Sequence, residues 1–245
     1  MSALEELNMP VFEAHEDVSI MSVALGQSNS PLLIIDNAIT HPERLIDYAA
    51  HVAEFKPVAN AGNFYPGIRA RMPRAYAGFV FRLIMPYLTE KFDFEDLSRA
   101  RVTLSALSIV TTPADALSVV QRLPHFDTSS PDQIALLHYL SPADKGGTGF
   151  YRHRSTGFEQ VTPDRVEPYT KCLEREVHGG NIPDALYANG DTSLFKRYAT
   201  IDAKFNRLVV YRSNNLHSGN IPADLPLSAD PRRARMTINT FLTVS

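Results

Sequence analysis

The sequence predicts an α+β protein, mainly β, in which two leading helices pack on antiparallel strands arranged as a sandwich or open barrel. Two observations predict it. From Arg101 onward, stretches such as RVTLSALSIVTT and RMTINTFLTV alternate in polarity and are rich in Val, Ile, Leu and Thr, as half-buried strands require. Before Arg101, two stretches instead space their apolar residues for helices. The 245 residues suffice for one large β domain with a real core. The expected organisation is a single domain over 1–245, with a strand and helical support region at 1–100 and the core at 101–245.

The elements follow in order. After a loose start, PLLIIDNAIT (Pro31 to Thr40) reads as a buried strand closed by a turn. In HPERLIDYAAHVAEF, Leu45, Tyr48, Ala49, Val52 and Phe55 lie on one helical face, with Thr40 or His41 placed to cap it and Pro42 in the first turn. A loop containing Pro57, Gly62, Pro66 and Gly67 leads to a second helix over Ala75 to Phe92, bent at Pro86. The strands RVTLSALSIVTT, LSVVQRLPHFD, DQIALLHYLS, TGFYRHR, NRLVVYRS and RMTINTFLTV follow. Residues 155–206 interrupt them with a polar, partly helical insertion whose best helix is DRVEPYTKCLEREV, read as an ordered lid or side element.

Composition removes several functions. A net charge of −3 and a pI near 6.2 offer no basic field for nucleic acid. No stretch approaches the ~18 apolar residues that span a bilayer, so no membrane association is expected. The first residues are acidic and lack a signal-peptide core. Cys172 is the single cysteine, which excludes an internal disulfide and a thiolate metal cluster and fits a reducing cytoplasm. There is no Gly-x-Ser-x-Gly elbow, P-loop or dinucleotide fingerprint.

What remains is a set of candidate metal ligands. On a strand, residues i and i+2 share a face, so His125 and Asp127 in LPHFDTSSPD would project together. An imidazole beside a carboxylate supplies two of three ligands of a facial iron site. Alone, the triplet reads more simply as a strand end with Asp127 capping a turn. His217, after the polar turn of NRLVVYRSNNLHSG, offers a third ligand, though by itself it reads more simply as a surface or satisfied histidine. In RMTINTFL, Arg235, Thr237 and Asn239 share one face of an apolar strand. A buried arginine there needs an anion, either an acidic side chain or a bound carboxylate.

The order of these pieces resembles the iron(II)- and 2-oxoglutarate-dependent oxygenases, especially their prolyl 4-hydroxylase-like branch. The matching pieces are PHFD, LLHYLSPADKGGTGF with its Gly-Gly-x-x-Phe turn, VVYRSNNLHSG and RARMTINTF, covering Arg101 to the C-terminus apart from 155–206. A looser resemblance, through IIDNAIT, GGTGFYRHR and FNRLVVYRSNNLHSGNI, is to an uncharacterised bacterial family of the same superfamily. The resemblance implies a double-stranded β-helix (jelly roll) core with the N-terminal helices packed on it. It also implies iron(II) held by His125, Asp127 and His217, and the cosubstrate 2-oxoglutarate held by Arg235, with Thr237 and the Tyr139 hydroxyl beside it. Dioxygen would be consumed and the substrate, a small molecule or a peptide, usually hydroxylated. His138 would face away from the site, on the opposite side of its strand from Tyr139.

Arg152, His153 and Arg154 follow the Gly-Gly turn, and Arg69 and Arg71 lie in the Pro/Gly-rich loop; any could recognise an anionic substrate, or simply face solvent. The chain would act alone or as a homodimer. Two other readings stay open, a jelly-roll module that binds without turnover and a cupin-like metal enzyme that uses no 2-oxoglutarate. The absence of His-x-His disfavours the cupin reading.

Overall fold

The computed structural model describes residues 12–58, 65–141 and 145–244. The reading of the extreme N-terminus and of Gly62 lies outside them. The fold is mainly β, as expected. Its strands are β1 (Ser19–Leu25), β2 (Ser30–Asp36), β3 (Lys56–Pro57), β4 (Gly67–Arg71), β5 (Arg101–Val110), β6 (Gln133–Tyr139), β7 (Gly147–His153), β8 (Phe195–Asp202), β9 (Arg207–Arg212), β10 (His217–Asn220) and β11 (Met236–Thr243). The helices are α1 (Glu43–His51), α2 (Arg74–Phe92) and α3 (Val166–His178). Among the described residues, eight strands form one sheet in the order β1-β2-β9-β6-β11-β5-β4-β3 and three form a second in the order β10-β7-β8. All named pairings are antiparallel.

Strand β6 shows why the large sheet is apolar on both faces. Ile134 and Leu136 point to a core they share with Leu45, Tyr76, Phe79, Ile84, Leu88 and Phe92 of α1 and α2. Ala135, Leu137 and Tyr139 point the other way, against Phe150 of β7 and Val209 and Tyr211 of β9. One face is therefore covered by helices, and the other packs on the small sheet. Pro86 lies inside α2 without ending it. A helix-interior proline costs about 3 kcal/mol. Burial of Phe79, Ile84, Leu88 and Phe92 at about 1.5–3 kcal/mol each outweighs that cost.

Several elements depart from expectation. Helix α1 starts later and ends earlier, at Glu43 and His51. Thr40 gives its hydroxyl to the Ala14 carbonyl and His41 is left-handed (φ 55°), so neither caps the helix. Part of the stretch before Pro31, expected to be loose, is ordered, because β1 pairs along its whole length with β2. β4 emerges from the Pro/Gly-rich loop. LSVVQRLPHFD forms a 3-10 turn at Val119–Arg122 instead of a regular strand. Residues 155–206 are no mere insertion, since β8 falls within them and completes the small sheet beside β7. Among the described residues, no helix is long and apolar enough to cross a membrane.

One buried polar cluster ties the helical layer to the sheet. Asn206, left-handed at φ 64°, accepts from Ile39 N (3.1 Å) through Oδ1 and donates to Ile39 O (2.8 Å) through Nδ2. The same Oδ1 accepts from His138 Nε2 at 3.1 Å. Nε2 therefore carries the proton, and Nδ1 accepts from the Tyr76 hydroxyl at 2.9 Å. Both ring nitrogens are satisfied in the neutral form, and burial pulls the His138 pKa down from 6.5 to about 4.

Two outcomes follow. Asn206→Ala should lose about 3 kcal/mol in urea unfolding, because it strands buried partners and strains φ, while Asn206→Gly should recover about 1 kcal/mol of that. Equal losses would discount the backbone contribution. Between about pH 6.5 and pH 4 the unfolded chain binds a proton that folded His138 refuses, so stability should fall as pH drops through that window. His138→Asn should flatten this slope relative to wild type; parallel slopes would acquit His138.

Candidate metal centre

The segment carrying His125 is irregular, yet it is firmly registered. His125 N donates to His217 O at 2.9 Å and His217 N to His125 O at 2.8 Å, an antiparallel exchange between distant parts of the chain. Asp127 N donates to Ser213 O at 2.9 Å, one turn earlier on the partner segment. The alternation expected of a strand thus survives over three residues. Phe126 meets Tyr169 of α3 edge-on, with ring centroids 6.0 Å apart.

The three candidate ligands are brought together. Their ligand atoms all lie within 4.8 Å of one another. His125 Nε2 is 3.8 Å from Asp127 Oδ1, His217 Nε2 is 3.7 Å from Oδ2, and the two imidazole centroids are 4.5 Å apart. His217 Nδ1 donates to Asn215 O at 2.9 Å, which leaves Nε2 as a bare lone pair facing a carboxylate. These separations are too long for hydrogen bonds. First-row ions bind such donors at about 2.0–2.2 Å, which sets neighbouring donors about 3 Å apart, so a small side-chain movement suffices. Two imidazoles and a carboxylate that converge without hydrogen-bonding to one another suit a cation, and the residues fit a divalent metal.

Burial, reinforced by His217 and Arg69, lowers the His125 pKa from 6.5 to about 3. That side chain keeps 53% of its area accessible and opens onto a cavity lined by Asp127, His217 and Arg69, so its exposed area faces the cavity mouth. Burial raises Asp127, opposed by His217 and Arg69. A neutral imidazole is the ligating form.

The cavity beside these groups has a volume of about 480 Å³ and is also lined by Arg235, Thr237 and Asn239. The face shared by these three is the one the strand pattern indicated. Arg235 sits just before β11 and is buried. Its Nε donates to Lys145 O (3.1 Å) and its Nη2 to Gly147 O (3.0 Å), with no carboxylate partner among the described residues. The Gly-Gly turn makes this cradle. Gly146 is left-handed (φ 89°), and a Cβ there would stand 2.0 Å from Asn220 O. Thr237 donates to Asn239 Oδ1 at 2.8 Å. Tyr139 stands behind the wall, its hydroxyl 2.6 Å from the Thr148 hydroxyl, and Thr148 lines the cavity. His138 faces the helices.

Arg152, His153 and Arg154 do not reach the cavity. Pairing with β10 ends at Phe150, and β7 carries the three residues onward into other partnerships. Arg152 pairs with Glu159, and Arg154 Nη2 with Asp191 at 3.0 Å. His153 is bonded at both nitrogens, to Thr156 and Glu176, each at 2.9 Å. His153, Cys172 and Glu176 also lie close enough to suggest a metal cluster, but the engaged ring makes them a link between β7 and α3. Of the arginines in the Pro/Gly-rich loop, Arg69 lines the cavity and Arg71 is exposed. Tyr187 also lines it, from a coil where no periodicity signals its role.

The family model of a family of unknown function, DUF6445, matches residues 16–242, and the chain belongs to that family. No curated protein matches it. The chain is similar to solved structures of three proteins. AviO1 from Streptomyces viridochromogenes Tue57 is 13% identical over 92% of this chain and 89% of its own, with a TM-score of 0.40. The non-heme alpha ketoglutarate dependent carbocyclase SnoK from nogalamycin biosynthesis is 10% identical over 90% and 85%, with a TM-score of 0.42. EvdMO1 is 13% identical over 93% of this chain but only 55% of its own, with a TM-score of 0.37.

Calorimetric titration of the metal-free protein with Mn(II) should give one equivalent bound. His217→Ala should weaken that binding by about 100-fold or more, beyond what loss of an outer-shell partner costs, while His153→Asn should leave it intact. Equal binding by wild type and His217→Ala would remove the assignment.

Proposed function

We propose that this member of DUF6445 is an iron(II)- and 2-oxoglutarate-dependent oxygenase, a hydroxylase of a small molecule or peptide, built as a single jelly-roll domain. The observation that carries the reading is the convergence of His125, Asp127 and His217, whose ligand atoms lie within 4.8 Å of one another beside a cavity, with His217 Nε2 left as an acceptor. Two histidines and one carboxylate leave coordination positions open, as non-haem iron oxygenases require. Arg235 supports the choice of cosubstrate. Among the described residues the buried guanidinium is held by carbonyls, which orient but do not neutralise it, and a carboxylate would complete it. The strand order supports the jelly-roll reading, with β9-β6-β11-β5 as one four-stranded face and β10-β7-β8, extended by the His125 bridge, as the other.

Iron(II), when bound, would supply the redox chemistry by which dioxygen oxidises 2-oxoglutarate to succinate and carbon dioxide, one oxygen atom entering succinate and the other the substrate. The chain's own residues do the positioning. His125, Asp127 and His217 hold the metal, and the Asn215 carbonyl keeps His217 in its ligating tautomer. Arg235, with Thr237 beside it, takes the distal carboxylate of the oxoacid. Tyr139 fixes the Thr148 hydroxyl on the cavity wall. Apolar side chains such as Leu137 and Phe241 keep the rest of that wall dry.

Anaerobic addition of iron(II) and then 2-oxoglutarate should produce a weak visible charge-transfer band in the wild type and none in His217→Ala. Arg235→Ala should need at least about tenfold more 2-oxoglutarate, the loss expected for one charge-assisted pair. A folded, iron-loaded protein with no band would favour a metal enzyme that uses no oxoacid. Failure to bind metal at all would favour a silent binding module.

A further inference from the structure

We infer that the cavity admits, beside the oxoacid, a substrate bearing one carboxylate on an apolar body, and that Arg69 is the residue that holds this carboxylate. The inference rests on the oxygenase reading for its account of what else fills the cavity. Its own ground is Arg69, which that reading does not use. The side chain projects from β4 opposite Ser108 of β5, and Ser108 lies opposite Thr237 of β11. Arg69 therefore belongs to the row of the sheet that faces the cavity, and it lines the cavity.

Two contacts hold its plane. Nε donates to the Ser108 hydroxyl at 3.1 Å, and the guanidinium carbon lies 4.3 Å from the Tyr65 ring centroid. Nη1 and Nη2 have no hydrogen bond or carboxylate partner among the described residues. Burial accordingly pulls the Arg69 pKa down, and the distant Asp127 only partly offsets it. A planar fork with one edge anchored and the other free is the shape that receives a carboxylate end-on.

Charge points to a monoanion. Among the described residues, the charged side chains lining the cavity are Arg69, Asp127 and Arg235. Asp127 faces His125 and His217 and is committed to the metal in this reading. A divalent ion together with a doubly charged oxoacid adds no net charge, so two guanidiniums against one carboxylate leave one positive charge over. A single carboxylate balances it, whereas a phosphate dianion would overshoot. Leu104, Val120 and Phe241, which also line the cavity, suit an apolar remainder. The volume of about 480 Å³ exceeds what a five-carbon acid fills and lies within the ~300–1,000 Å³ of ligand pockets.

The test is calorimetric titration of anaerobic iron(II)-loaded protein, with and without saturating 2-oxoglutarate, using hexanoate and octanoate against hexanamide and octanamide. In the presence of 2-oxoglutarate the acids should bind at least tenfold more tightly than the amides. Arg69→Gln should erase that preference and Arg69→Lys retain part of it, which guards against a glutamine variant that folds poorly. Affinity for 2-oxoglutarate should change less than twofold in Arg69→Gln and collapse in Arg235→Gln. Equal binding of acids and amides, no binding of either acid, or loss of 2-oxoglutarate in Arg69→Gln would overturn the inference. If wild type ignores 2-oxoglutarate but keeps an acid preference that depends on Arg69, the oxygenase reading falls and the carboxylate site stands.

Discussion

The site depends on one backbone exchange, the pair of hydrogen bonds between His125 and His217. Each is worth only about 1 kcal/mol net, but their value is positional. They set two imidazoles 4.5 Å apart and, with the bond from Asp127 to Ser213, aim the carboxylate between them. The partner segment is itself pinned from the other side, where Tyr151 N donates to Leu216 O (2.8 Å) and Leu216 N to Glu159 O (2.8 Å). His217 is thus held between two neighbours, and Tyr211 packs against its ring at 5.0 Å. A loop without regular structure of its own acquires strand-like precision from a partner that has it.

The same logic places the charges. The two faces of the large sheet divide the labour, with α1 and α2 covering one face so that polar groups collect on the other. On the covered face, His138 is buried and fully satisfied as a neutral ring. On the cavity face, Arg235 and Arg69 are oriented by carbonyls, a hydroxyl and an aromatic ring, none of which cancels charge. Uncompensated donors inside a folded chain cost stability, and such exceptions gather where a ligand completes them.

Sequence periodicity revealed the strands whose partners lie on both sides. β5, β6, β9 and β11 are apolar because each is sandwiched, and the face shared by Arg235, Thr237 and Asn239 could be read from alternation alone. Three other strands were not legible. β1 is mostly exposed, β4 sits between prolines and glycines, and β8 (FKRYATID) is polar; each exists because a neighbour offers it a ladder. Val119–Arg122 fails in the opposite direction, since its apolar residues suggest a strand but the chain coils into a 3-10 turn before the bridge at His125. Arg152 and Arg154 follow the Gly-Gly turn in sequence, yet their partners Glu159 and Asp191 come from segments whose approach no local pattern announces. Tyr139 was read on the correct face, but Thr148 stands between its hydroxyl and the cavity.

The region 155–206 joins these threads. A polar interruption between strands invites the idea of a lid, yet while Tyr187 reaches the cavity, α3 acts from behind the candidate site. Tyr169 of α3 packs edge-on against Phe126, the middle residue of the His-x-Asp triplet, and also against His153 at 5.3 Å. His153 in turn is bonded to Glu176, one further position on the same helix face. The chain of contacts runs from α3 through Tyr169 to Phe126, and so to the backbone that carries both candidate ligands. Phe126 ties the short irregular segment that carries His125 and Asp127 to α3 through Tyr169, and it lines the cavity as well. The residue between the two candidate ligands therefore belongs to the candidate site as they do, and α3 supports that site through Tyr169.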